Sequence, residues 1–120
     1  MMLAAFSGVS SVTRMPAGPI MADPDTRKLM TDAIAETATV ARAEGIDLGA
    51  DYVAQQTDFF ARNVAPEAKA SMLLDLENGR RMELNWLSGA VARFGDDLGV
   101  PTPVHHVIYA ALKLYANGKS

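Results

Sequence analysis

Nine glycines and six prolines cut this 120-residue chain into short segments, and none of the segments alternates apolar and polar residues over the length of a strand. Alanine occurs twenty times and isoleucine four times, a balance that suits helices, where alanine gives up no side-chain entropy. An all-α domain is therefore expected, with its helix ends set by proline and glycine. Residues 1 to 11 read as an apolar, small-residue helix that starts without a capping residue, as if cut in the middle. Residues 14 to 24 hold Pro16, Gly18, Pro19 and Pro24, too much proline for a helix interior, and are expected to form an ordered connector. Asp23 and Pro24 make an N-cap and first-position pair for a helix reaching Glu44 and stopping at Gly45, with Met30, Ile34, Thr37 and Ala41 as its apolar face.

The remaining segments follow the same punctuation. A helix over Asp51 to Asn63 carries Tyr52, Val53, Phe59 and Phe60, and Pro66 opens a shorter one that runs to Asn78 and closes at Gly79. Leu84, Leu87, Val91, Phe94 and Leu98 recur at alternating steps of three and four, which puts them on one stripe of a helix ended by Gly99. Thr102 and Pro103 cap and start the last helix, in which Val104, Ile108, Ala111 and Tyr115 share a face before Gly118. The expectation is six helices, the first truncated. Gly89 interrupts the best-patterned of them at a cost of about 1 kcal/mol relative to alanine, and a close helix crossing is the favoured reason for it.

Length and charge narrow the function classes. A chain of 120 residues is one domain. With 11 basic against 14 acidic residues the net charge is −3, so the basic face needed to neutralise nucleic-acid phosphates is not expected. The chain has no cysteine, which excludes thiol catalysis and disulfides and suits a reducing cytoplasm. No apolar run approaches the roughly 20 residues of a membrane span, and the apolar opening Met1 to Phe6 has no basic residue before it, the first being Arg14, so a secretory leader is not expected.

Much familiar chemistry is missing. The glycine positions make neither a G-x-G-x-x-G nor a phosphate-cradling G-x-x-x-x-G-K, so no cofactor-binding residue is assigned. His105 and His106 are neighbours and point about 100° apart on a helix, which rules out a shared metal; they are expected at the surface or an interface. One constellation carries chemistry. Ser71 and Asp75 lie one turn apart on the short helix, and a turn at Gly79 could bring Glu83 back beside them. The three would supply a hydroxyl, an acceptor and a carboxyl group able to exchange a proton. On spacing alone the same residues also fit a solvated helix face, with Glu83 at the positive end of a helix dipole.

The segment Ser71-Met72-Leu73-Leu74-Asp75, continuing through Gly79-Arg80, Glu83, Gly89 and Gly99-Val100-Pro101-Thr102-Pro103, resembles the C-terminal domain of the ketopantoate reductases (2-dehydropantoate 2-reductases). Thr13-Arg14, Gly18-Pro19-Ile20, Ala22-Asp23-Pro24, Glu36 and Ala43-Glu44-Gly45 extend the likeness over nearly the whole chain. The resemblance implies an all-helical domain that closes a site shared with an N-terminal Rossmann domain carrying NADPH, and that mediates dimerisation. It implies that Ser71 hydrogen-bonds substrate, Asp75 supports the substrate pocket, and Glu83 serves proton transfer at the C2 oxygen. Two departures follow. The family's serine pair is Ala70-Ser71 here, and its essential lysine would fall just ahead of Met1, with the next asparagine replaced by Leu3. The expectation is therefore a substrate-binding and dimerisation domain of a reductase acting in pantothenate synthesis, inactive alone and needing a Rossmann partner, with no nucleic acid and no membrane. The alternative is a non-catalytic helical module kept for self-association.

Overall fold

The structure, a computed structural model, describes Met2–Gly118. Its α-helices are α1 (Met2–Thr13), α2 (Ala17–Ala22), α3 (Pro24–Ala43), α4 (Tyr52–Asn63), α5 (Ser71–Glu77), α6 (Ser88–Leu98) and α7 (Pro103–Leu112), with tighter 3-10 turns at Leu84–Trp86 and Lys113–Tyr115. The described residues contain no strand, as the missing alternation requires.

α1 is the spine. Ala5, Val9 and Ser10 are wholly buried, and the helix packs against α3, α5 and α7. Gly8 permits this on the α7 side, because a Cβ there would come within 2.8 Å of the Ile108 side chain. α3 forms as read: the Asp23 carboxylate accepts from the Asp25 and Thr26 amides at 3.0 Å each, Pro24 takes the first position, and Met30, Ile34, Thr37 and Ala41 are all buried. From α4, Phe60 enters the core and meets the Phe6 ring at 4.9 Å between centroids. Phe59 remains exposed.

Several expectations give way to tertiary structure. The connector over 14–24 contains α2, and Pro19 is its third residue, where the absent N–H belongs to the donors a first turn leaves unpaired anyway. The two preceding amides are satisfied across the fold, Ala17 N donating to Ala68 O at 2.9 Å and Gly18 N to Pro66 O at 2.7 Å. The same bonds explain why the helix expected from Pro66 begins at Ser71: the carbonyls of 66 and 68 are turned toward α2 instead of forward along a helix.

The stripe through Leu84 and Leu98 is broken at Leu87, whose φ of −110° and ψ of −103° separate the 3-10 turn from α6. Leu84 is buried, while Phe94 and Leu98 are 51% and 41% exposed. The inward face of α6 is instead Ser88, Gly89, Ala92 and Gly95. A Cβ on Gly89 would meet the Tyr109 ring at 3.0 Å and Leu84 O at 3.1 Å, so the close crossing expected there is present. α7 likewise turns inward His105, Ile108 and Leu112, leaving Ala111 and Tyr115 exposed.

His105 corrects the surface expectation outright. It is fully buried, with Nε2 2.9 Å from Ala33 O and Nδ1 3.1 Å from Ser88 Oγ. A carbonyl only accepts, so Nε2 carries the proton and donates to it, and the neutral ring's Nδ1 accepts from the serine hydroxyl. Burial pushes its pKa below the ordinary 6.5. Thr102 does not cap α7 through its side chain. Glu36 does so from α3, accepting from Val104 N at 2.7 Å and His105 N at 3.0 Å. A carboxylate placed on the first amides of a helix satisfies unpaired donors and favours the dipole.

Candidate active site

Ser71 is the first residue of α5 and Asp75 lies one turn on, so both side chains leave the same face. α5 ends after Glu77, and Gly79 adopts φ +66°, a left-handed conformation that glycine reaches without a Cβ penalty. The chain then reverses. Met82 is buried and its amide donates to Ala116 O at 2.8 Å, which ties the returning segment to the end of the α7 region. Glu83 follows directly.

This path brings the three sequence-selected residues together. Ser71, Asp75 and Glu83 line one cavity of about 240 Å³, whose other walls are Leu3, Ser7, Met72, Trp86 and Leu87. Asp75 is held by Arg80, with Nε 3.2 Å from Oδ1, and the Arg80 amide also donates to Asp75 O at 2.7 Å. With its side chain 29% exposed, the aspartate is fixed at the edge of the cavity with one carboxylate oxygen engaged. Glu83 and Ser71 are more open, so both groups are available to a ligand. A hydroxyl, an anchored carboxylate and an exposed carboxyl group around a largely apolar hollow can orient a small oxygen-bearing molecule and exchange a proton with it.

A second, larger groove of about 340 Å³ adjoins this cavity and shares Leu3, Trp86 and Leu87 with it. Its lining includes two residues of that apolar stripe, the half-buried Val91 and the exposed Phe94. Sequence reasoning missed Ser7, a serine in an apolar helix that carried no spacing signal, and it placed Glu36 only by resemblance. The histidines diverge: His105 is sealed in the core, while His106 Nε2 lies 3.3 Å from Asp96 on the surface.

Residues 1–116 match the family described as ketopantoate reductase PanE/ApbA C terminal. The chain belongs to the ketopantoate reductase family. An oxidoreductase of Bacillus subtilis, YkpB, is 32% identical over 114 residues, covering 94% of this chain and 37% of its own length. Among solved structures, a PanE/ApbA family ketopantoate reductase from Ralstonia eutropha superposes with a TM-score of 0.83 at 34% identity, over 96% of this chain and 38% of that one. A dimeric ketopantoate reductase from Staphylococcus aureus gives a TM-score of 0.86 at 22% identity, over 96% and 40% respectively, which is a likeness of fold. The chain thus spans well under half the length of these relatives, and corresponds to their C-terminal, all-helical part. Among the described residues no helix is long and apolar enough to cross a membrane.

Proposed function

We propose that the cavity of Ser71, Asp75 and Glu83 is the substrate-facing wall of a 2-oxo-acid reductase of the 2-dehydropantoate type. The observation that carries this reading is the convergence of those three side chains on one hollow in a chain of this family. The Ser71 hydroxyl hydrogen-bonds the substrate. Asp75, braced by Arg80, shapes the pocket. Glu83 stands at the C2 oxygen and exchanges the proton as the ketone becomes an alcohol.

NADPH supplies the hydride in this family chemistry. The described residues hold no strand leading through a glycine-rich turn into a helix, the arrangement that cradles a dinucleotide pyrophosphate, and no contact with the cofactor is assigned to them. The chain's own contribution is to bind, orient and exchange a proton, with a Rossmann domain, covalently attached or separate, completing the site. Self-association accompanies this role. The dimeric relative supports it, as do the exposed Val107, Leu114 and Tyr115 side chains on and just beyond α7, a run of apolar surface of the kind subunits cover.

The test is NADPH oxidation with 2-dehydropantoate, using the chain alone and then with a dinucleotide-binding half from a family member, extended through that member's essential lysine, added. Turnover is expected only in the mixture, and Glu83→Gln is expected to lower it about 100-fold. A mixture whose rate ignores Glu83 would remove the assignment. The non-catalytic alternative predicts self-association, seen by light scattering, together with no turnover in any mixture.

A further inference from the structure

Arg14 and Arg80 line one hollow of about 280 Å³, between the end of α1 and the turn at Gly79, and it shares no lining residue with the cavity of Ser71, Asp75 and Glu83. Both guanidinium groups are anchored in the same way. Arg14 Nε donates to Ser11 O at 3.1 Å and Arg80 Nε to Asp75 Oδ1 at 3.2 Å, while the terminal nitrogens of both have no hydrogen-bond partner among the described residues. Four other arginines do the reverse: Arg27, Arg42, Arg62 and Arg93 each reach their partner with a terminal nitrogen. A guanidinium held through Nε keeps its plane fixed and leaves its outer N–H groups, which match the oxygens of a carboxylate or phosphate, open to a ligand. Arg14 also stands directly after α1 at φ +59°, where a Cβ is unfavourable and glycine or asparagine is usual, so this side chain is held in place at a backbone cost.

Charge indicates what the hollow takes. The Asp75 carboxylate offsets Arg80, and Glu77, the acidic residue of the lining, has its two oxygens on Lys69 at 3.2 and 3.1 Å. No acidic side chain among the described residues pairs with Arg14. The hollow therefore carries one uncompensated positive charge in a chain whose net charge is −3. Tyr115 adds a hydroxyl to its lining, and Gly118 closes one side, so near that a Cβ there would come within 2.9 Å of Gly79 O. Both arginines are exposed, so an ion in solution reaches them. We propose that this hollow binds a small oxyanion, phosphate or a carboxylate, through the terminal nitrogens of Arg14 and Arg80. Arg80 keeps Asp75 on Nε while its outer nitrogens take the ion, so binding leaves the brace on Asp75 intact.

A backbone-amide NMR titration of the chain with inorganic phosphate and, separately, with succinate, each matched by sodium chloride at equal ionic strength, tests it. Saturable shifts at Gly79, Arg80 and Tyr115 are expected with an oxyanion and not with chloride, and the anion that binds more tightly shows whether a phosphate or a carboxylate is the preferred ligand. Arg14→Gly removes one guanidinium while easing the left-handed turn, and is expected to weaken binding about tenfold. Arg62→Gln, which deletes the same charge on α4, is expected to change it less than about twofold, as screening of a distant charge requires. Absence of saturable shifts with either anion, shifts that chloride reproduces, an affinity that Arg14→Gly leaves unchanged, or equal losses in the two variants would overturn the proposal.

Discussion

α3 and α6 carry equally legible apolar stripes, and the fold uses them in opposite ways. On α3, Met30 and Ile34 are completely buried and build the core. On α6 the large side chains turn outward to a groove while serine, alanine and glycine face in. The difference lies in what surrounds each helix. α3 packs against α1, α2, α4, α6 and α7, so its stripe has neighbours to fill. α6 must approach α7 closely enough that a single Cβ at Gly89 would press on Tyr109, and only small residues allow that. A periodic apolar face shows that a helix is amphipathic. It does not show whether the face meets the chain's own core or something else.

Substitutions that separate the two stripes sharpen this contrast. Ile34→Ala on α3 should cost about 3 kcal/mol, from lost burial and the cavity left behind, whereas Phe94→Ala on α6 should cost under about 1 kcal/mol, as an exposed site does; denaturant unfolding of the two variants measures the gap, and equal losses would break the comparison. The small inner face of α6 makes the converse claim. A Cβ on Gly95 would sit 2.7 Å from the backbone oxygen of Val100, so Gly95→Ala should destabilise by about 2 kcal/mol through overpacking. A neutral result in the same unfolding assay would mean that α6 has slack on that side. Removing the bridge between α3 and α7 should have a smaller effect, with Glu36→Ala costing about 1 kcal/mol as a lost cap and amide exchange rising at Val104 and His105.

The smallest effect is one of pH. His105, whose folded pKa lies below its ordinary 6.5, stays neutral in the native protein while the unfolded chain takes up a proton. Above pH 6.5 both states are neutral and nothing is lost. As pH falls from there toward the folded pKa, the unfolded state is favoured and stability declines. His105→Gln should flatten that part of a stability-against-pH curve relative to wild type, and an unchanged slope would place the proton elsewhere.

What the sequence made legible was mostly local. The Asp23-Pro24 start, the α3 face and the glycine stops depend on neighbours a few residues away, and they stand where spacing put them. The gathering of Ser71, Asp75 and Glu83 was legible because it needs only one helical turn and one reversal at Gly79. The rest depended on distant partners. α2 needs the carbonyls of Pro66 and Ala68, the α7 cap comes from Glu36, and His105 is buried because Ala33 and Ser88 satisfy both ring nitrogens. No spacing rule reaches across that separation.

The central claim is that the hollow beside α5 is an oxo-acid site. The most direct measurement is a backbone-amide NMR titration of the chain with 2-dehydropantoate. The predicted result is saturable shifts centred on Ser71, Asp75 and Glu83 and spreading to Ser7. Shifts confined to the Val91–Phe94 groove, or none at millimolar ligand, would contradict it.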